Sequence, residues 1–288
     1  MKETPVLAVI GGSGLYKFKG LTDIKTMELE TPFGKPSSPI TIGRIEGKSV
    51  AFLARHGIGH TLPPSDVPYR ANIYALKSLG VTRVVSVSAC GSLRETYAPG
   101  HIVIPNQIFD FTHQRERSFF GKGLVAHVSV ADPFCEGLSD ILEEAVKETE
   151  ANYHRDATYI TIEGPRFSTK GESNQYRQWG IDIIGMTASP EVFLAREAEM
   201  CYTTMAHVTD YDVWHISEEP VTVEMVIQTL NRNIRIAQAA IKSMVNKIDP
   251  DAHCGCEEGL KNALITDPDH IDPQMRDKLS LLVNKYLG

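Results

Sequence analysis

Cysteine is scarce in this chain, with five in 288 residues, at positions 90, 135, 201, 254 and 256. Their spacing contains no paired Cys-x-x-Cys, so it is neither a zinc pattern nor a disulfide framework. Mostly reduced thiols in a cytosolic enzyme are the expectation. Long apolar runs are also missing, and none approaches transmembrane length. Met1-Lys2-Glu3-Thr4-Pro5 runs into a short apolar stretch and carries no secretory signal, so a cytoplasmic location is expected. Basic charge is not in excess. Lys and Arg total 29 against 36 Asp and Glu, a formal net charge of −7, with a pI near 5.8. Nucleic acid or an anionic membrane as the main partner would require a broad basic surface, while a pocket for one small anion needs only a few donors. There is no internal repeat and no low-complexity segment.

What is present is an ordinary globular composition, 42% hydrophobic and 23% charged. The length suits one large α/β domain or two small ones. Short β-branched runs alternate with helical patterns, which predicts a single α/β domain around a mixed, partly closed sheet flanked by helices. Strands are expected over residues 6–10, 40–45, 49–54, 83–88, 101–105, 158–163, 181–185 and 202–208. Helices are expected over 66–79, 138–149 and 221–247, with another opened by Pro190 and Glu191. The α/β rhythm stops near residue 248. Residues 249–288 read as a helical extension of the same domain, with two short helices. Cys254-Gly255-Cys256 beside His253 admits a disulfide, a metal site or a free-thiol linker, and the linker is preferred because no second cysteine pair lies nearby.

The strand ends carry the chemistry. Gly11-Gly12-Ser13-Gly14 follows the first strand as a tight turn or an anion loop, and it lacks both the dinucleotide fingerprint and the Gly-Lys-Ser/Thr of a P-loop. Arg55-His56-Gly57-Ile58-Gly59-His60 places cationic donors at a strand end, as a polar loop or an anion site. Ser88-Ala89-Cys90-Gly91-Ser92 is small enough for a ligand to approach the backbone. Cys90 there reads as packing rather than as a nucleophile. Phe167, just past another strand, either enters the core or covers a flat ring. Asp210 and Asp212 close the last strand, as turn residues or as ligands. Open α/β sheets bind ligands outside the carboxyl ends of their strands. Ser13, Arg55, His56, Ser88 and Thr187 would then be donors for an oxyanion, with Asp210 and Asp212 facing a nitrogen heterocycle and Phe167, Met186 and Val223 adding apolar surface. Such a site fits cleavage of a nucleoside by phosphate.

Six motifs occur in order: Gly11-Gly12-Ser13-Gly14, Arg55-His56-Gly57-x-x-His60, Ala89-Cys90-Gly91-Ser92, Glu163-Gly164-Pro165-Arg166-Phe167, Gly185-Met186-Thr187-x-x-Pro190-Glu191 and Thr209-Asp210-Tyr211-Asp212-x-Trp214. From about residue 6 to 245 the pattern resembles the methylthioadenosine phosphorylases of the trimeric purine nucleoside phosphorylase family. The resemblance implies a nucleoside phosphorylase-like fold with a partly barrel-like sheet. It also implies phosphorolysis of 5′-methylthioadenosine to adenine and 5-methylthioribose 1-phosphate, a step of purine and methionine salvage. Phosphate would bind at Ser13, Arg55, His56, Ser88, Ala89 and Thr187. Met186 with Ser88 and Ala89 would line the ribose, and Ala89, Cys90, Gly91, Phe167 and Ile184 would sandwich the base. Asp210 would serve the purine N7 and Asp212 the 6-amino side. His60, Val223, Val226 and Ile227 would receive the 5′ substituent, completed by His127 of a neighbouring subunit. A homotrimer or a dimer of trimers is implied, with inorganic phosphate as cosubstrate and no metal or organic cofactor.

Two departures sit beside the ribose site. Ala188-Ser189 stands where the family often has Thr-Val, and Gly185 replaces a common asparagine. Competing readings are a 6-oxopurine or methylthioinosine phosphorylase, a histidine phosphatase built on Arg55-His56-Gly57, and a nucleoside-binding protein without catalysis. The acidic pair disfavours the first, because members that take 6-oxopurines place asparagine at the Asp210 position. The phosphatase reading leaves the other motifs without a role.

Overall fold

Proline and glycine divide the chain into strands and helices whose order is regular up to residue 247. The computed structural model describes residues 4–12, 15, 18, 20–215 and 222–288, apart from the side chains of 225, 226 and 228–232. In chain order these residues form β1 (Leu7–Gly11), β2 (Thr22–Met27), β3 (Ile40–Ile45), β4 (Lys48–Ala54), α1 (Tyr69–Ser78), β5 (Arg83–Ser92), β6 (Ile102–Phe111), α2 (Glu136–Lys147), β7 (Tyr153–Ile162), α3 (Lys170–Gln178), β8 (Ile183–Gly185), α4 (Ala188–Glu197), β9 (Cys201–Asp210), α5 (Val223–Lys247), α6 (Pro273–Lys278) and α7 (Ser280–Leu287).

The sheet runs β2-β3-β4-β1-β5-β8-β7-β6-β9, and β9 returns to pair with β5. Five strands, β5, β8, β7, β6 and β9, therefore close into a barrel, and β1 to β4 form an open wing on its side. β5 belongs to both parts, parallel to β1 and to β9 and antiparallel to β8. Strands covered on both faces become continuous apolar runs. β1 and β9 are buried along their whole length. One face of the sheet is covered by α2 and α5, where Leu142 and Val146 meet Ala240, Ile241 and Met244. The other is covered by α1, α4 and α7, around Ile73, Leu194 and Val283.

Several boundaries differ from the sequence expectation for local reasons. Pro68 holds Val67 extended (ψ 125°), because the residue before proline avoids the α region. The expected helix over 66–79 is thus a single 3-10 turn, Pro64–Asp66, followed by α1. β6 runs to Phe111, beyond the expected 105, because pairing with β7 carries it on. β2 was not anticipated, being an exposed edge strand with no apolar face. α3 was also missed, although Thr169 and Glu172 form a capping box at its start. The tail does contain two short helices, α6 and α7, but its cysteines are not a simple linker. The sulfurs of Cys254 and Cys256 lie with those of Cys135 and Cys201, all four within 4.8 Å of one another.

The hairpin between β3 and β4 also caps a distant helix. Lys48 Nζ donates to the carbonyls of Val245, Asn246 and Ile248 at 2.9, 3.1 and 2.9 Å. These are orphan acceptors at the C-terminus of α5, where a cation also meets the negative end of the helix dipole. Lys48→Met is expected to cost about 1–2 kcal/mol. Urea unfolding would show it as a lower midpoint at constant slope, and an unchanged midpoint would refute the capping role.

Candidate active site

Arg55 follows β4, and its N–H donates to the Gly11 carbonyl at the end of β1 at 3.1 Å. Its side chain is 2% exposed. Nε and Nη2 fork onto the two Glu191 oxygens at 2.9 Å each, Nη2 also donates to Ser86 Oγ at 2.6 Å, and Nη1 reaches the Val87 carbonyl at 3.4 Å. Tyr202 Oη donates to the same carboxylate at 2.7 Å. Burial works against the charge on Arg55, and Glu191 more than restores it, so its pKa is raised. The expectation that Arg55 serves an anion is narrowed by this geometry. Two of its three nitrogens are committed to Glu191, and only the loosely bonded Nη1 is left to turn toward a ligand. Glu191, read from the sequence only as a helix opener, is the residue that aims the guanidinium.

His56 lies beside it. Its Nδ1 donates to the Leu62 carbonyl at 2.9 Å, and its ring stacks on that of His60 with centroids 4.3 Å apart. Burial first, and the Arg55 charge second, lower its pKa to about 4. The ring is therefore neutral near pH 7, with Nε2 as an acceptor. Thr187 is buried ahead of α4, and its side chain makes no capping bond; Ser189 (φ −98°, ψ 138°) breaks the helical geometry, so the regular part of α4 starts at Pro190. Ser88 Oγ is buried without a hydrogen-bond partner among the described residues. These two buried hydroxyls, one making no cap and the other without a partner among the described residues, are candidate donors for an anion.

The acidic side is set by strand register. Gly91 of β5 pairs with Ile184 of β8 on one side and with Asp210 of β9 on the other. A Cβ at Gly91 would meet Asp210 Oδ1 and Ile184 Cγ2 at 3.0 Å and Asp212 Cβ at 3.3 Å. Glycine thus leaves these three side chains room to converge on one point. Asp210 Oδ2 accepts from Thr209 Oγ1 at 2.6 Å and Oδ1 from the Asp212 N–H at 2.8 Å. Asp212 adopts a positive φ of 53°, a conformation aspartate tolerates better than most residues. The two carboxyls meet through this turn rather than along an extended strand. Burial raises Asp210 to about 6, against the Thr209 and Asp212 hydrogen bonds. Burial also raises Asp212, whose Oδ2 has no partner among the described residues. Cys90 is buried and pushed well up, first by burial and then by Asp210, which suits packing and not nucleophilic attack.

Two residues missed by sequence reading hold the floor between these halves. The Arg115 guanidinium donates to the carbonyls of Met186 and Ser189 at 2.7 Å each, to that of Glu163 at 2.8 Å, and to Glu163 Oε1 at 3.1 Å. Burial opposes ionisation of Glu163, but bonds from Ser65, the His113 and Gln114 N–H groups and Arg115 hold it down to about 2. Arg115 sits in an irregular polar stretch after β6, with no sequence motif around it. The other residue, Tyr159, explains the glycine at 185, because a Cβ there would overlap the Tyr159 hydroxyl.

Other expected residues lie at the rim or outside the described set. Phe167 is 37% exposed, so it does not enter the core and is free to cover a ring. Val223 and Ile227, on the first turns of α5, are 62% and 52% exposed. Ser13 and the side chain of Val226 lie outside the described residues. His127 is exposed beside the tail, where its N–H donates to the Ala263 carbonyl at 2.9 Å. Among the described residues, no helix is long and apolar enough to cross a membrane.

The sequence profile described as Phosphorylase superfamily matches residues 6–246. An S-methyl-5′-thioadenosine phosphorylase from Geobacter sulfurreducens is 49% identical over 283 residues, covering 98% of this chain and 99% of that protein. A solved methylthioadenosine phosphorylase from an antarctic soil metagenomic library superposes with a TM-score of 0.93 at 48% identity, over 98% of this chain and 100% of the other. The methylthioadenosine phosphorylase of Schistosoma mansoni, solved with adenine, gives 0.82 at 34% identity, over 97% and 98%.

Two stability measurements test this geometry. Glu191→Ala leaves a buried guanidinium unpaired and is expected to cost about 3–5 kcal/mol, read from denaturant unfolding. A loss under 1 kcal/mol would mean that water reaches Arg55. Asp210 has a folded pKa near 6, above its ordinary 3.8, so the folded state favours the protonated form. The wild type loses up to about 3 kcal/mol as pH rises from about 4 through 6, because only the unfolded chain releases the proton freely. Asparagine does not titrate. The melting temperature of Asp210→Asn relative to wild type should therefore rise between about pH 4 and 6 and then level off. A constant difference would show that Asp210 titrates normally.

Proposed function

The chain belongs to the phosphorylase superfamily, and from that premise we propose that it cleaves 5′-methylthioadenosine with phosphate, giving adenine and 5-methylthioribose 1-phosphate. Its fold is the single-domain nucleoside phosphorylase fold, and residues 249–288 are taken as an extension of that domain. The observation that carries the choice of base is the convergence of Asp210 and Asp212 on Gly91 and Ile184. A 6-amino group is a donor and needs an acceptor, which the unpaired Asp212 oxygen supplies. A 6-oxo base would face carboxylate oxygens and be repelled, and a site built for one polar partner rejects its analogue by about 10⁴ or more.

The reaction breaks the C1′–N9 bond and forms a bond from C1′ to a phosphate oxygen. Positive charge develops on the ribose, and the bound anion stabilises it. Thr187, Ser88, Ala89, Ser13 and Arg55 Nη1 would hold that anion. His56 presents Nε2 as an acceptor, so phosphate binds there through a P–OH or by protonating the ring. Adenine leaves poorly unless N7 gains a proton. Asp210, raised to about 6, is partly protonated near neutrality and is placed to give it. Met186 lies beneath the ribose, and Cys90, Phe167 and Ile184 enclose the base. His60, Val223, Val226 and Ile227 would receive the methylthio group. His127 of a neighbouring subunit would complete that pocket, in a homotrimer or a dimer of trimers. Phosphate is the cosubstrate and the chemistry calls for no cofactor. The products would enter purine and methionine salvage in the cytoplasm.

Base release from methylthioadenosine, adenosine and inosine, with and without phosphate, tests the proposal. Adenine release should require phosphate and be fastest from methylthioadenosine. Asp210→Asn should lower it by about 10²–10⁴. Faster cleavage of inosine would overturn the base assignment, and no cleavage of any of the three would overturn the activity.

A further inference from the structure

Far from the acidic pair, four cysteines from three separate segments meet. Cys135 is the N-cap of α2, Cys201 opens β9, and Cys254 and Cys256 flank the start of the 3-10 turn Gly255–Glu258 in the tail. The Cys135 N–H donates to the Tyr202 carbonyl at 2.8 Å, which brings the first two together. The Glu257 and Gly259 N–H groups fold the tail turn back on the Cys254 and Cys256 carbonyls at 3.2 Å each. All four sulfurs lie within 4.8 Å of one another. Cys135, Cys201 and Cys256 are 6–7% exposed, and Cys254 is half-buried. From these four sulfurs we infer that the chain holds one zinc ion as a tetrathiolate, a structural site separate from the proposed reaction centre.

The geometry favours one shared centre over two disulfides. No pair is at bonding distance: the Cys201 and Cys254 sulfurs stand 2.9 Å apart, and all four thiols are free. Zinc–sulfur bonds of about 2.3 Å put tetrahedral sulfurs about 3.8 Å apart, so small movements suffice to close the site. The donor set is all sulfur, since His253 turns its Nδ1 to Glu257 at 2.9 Å. Tetrahedral thiolate sites select zinc over the hard cations. Four thiolates around a divalent ion leave two negative charges, and Arg196 Nη1 stands 3.4 Å from Cys256 Sγ to offset them. The site would tie the tail to the base of the barrel. It is also remote from the chemistry, because Cys201 and Asp210 are the first and last residues of the ten-residue β9, roughly 30 Å apart at strand rise.

Metal analysis of the full chain, purified without chelator, should find one zinc per chain. After chelation under reducing conditions, the protein should take up one equivalent of cobalt(II) with the intense visible absorption of a tetrahedral thiolate site, and its melting temperature should rise by at least about 5 °C on reloading with zinc. Cys135→Ser should abolish uptake, while Cys90→Ala should retain it. Two disulfides in the protein purified without reductant, detected by intact mass, would overturn the site. So would four reduced thiols that bind no cobalt, which is a result the wild-type chain can give without any variant having to fold.

Discussion

The bidentate contact between Arg55 and Glu191 is the interaction on which the site depends. An arginine this deeply buried is tolerated only because its charge is matched at both ends of its fork. Meeting that demand fixes the relative positions of the β4 end, the start of α4, the middle of β5 through Ser86 and Val87, and the start of β9 through Tyr202. Once α4 is pinned, Thr187 has one place to point. The anion end of the pocket is therefore a consequence of a buried ion pair that does not itself reach far into the pocket.

The opposite end follows from a different constraint, the closure of the barrel on β5. Parallel pairing with β9 and antiparallel pairing with β8 bring Gly91, Ile184 and Asp210 to one level. Removing a side chain at the central position lets its two neighbours approach. Burial then raises Asp210 and Asp212 together, while Glu163, equally acidic by type, is held ionised by four hydrogen-bond donors. One residue class is thus drawn toward its protonated form in one place and held ionised in another, and the count of donors around each carboxyl separates the two.

The tail joins the fold through contacts of different character, among them backbone hydrogen bonds between residues 123–127 and 263–272. Leu279, Leu282 and Val283 enter the apolar cluster beneath α1 and α4, which asks only for an apolar helix face. The sulfur cluster is more demanding, because four side chains must meet within a few ångströms. The sulfur cluster lies at the end of β9 opposite Asp210.

The strand ends were legible in the sequence because each is a local event: an apolar run, then glycine or a polar residue. Asp210, Asp212, Gly91, His56, Ser88 and Thr187 could all be picked out in this way, whereas Ile184 came only from the family resemblance, and the α/β class followed from the alternation of the runs. The edge strand β2 and helix α3 were not legible by periodicity, since neither has an apolar face to announce it. Arg55 was visible as a cation at a strand end, but its partner Glu191 lies 136 residues away. Arg115 was one arginine in a polar loop, and Cys135, Cys201, Cys254 and Cys256 were single residues or one close pair with no motif between them. What the sequence determined by itself is whatever depends on neighbours along the chain, namely the elements and the residue types at their ends. The pairing of charges, the protonation of the acidic pair and the gathering of the thiols were decided only by the tertiary structure, because burial and distance in space set those energies.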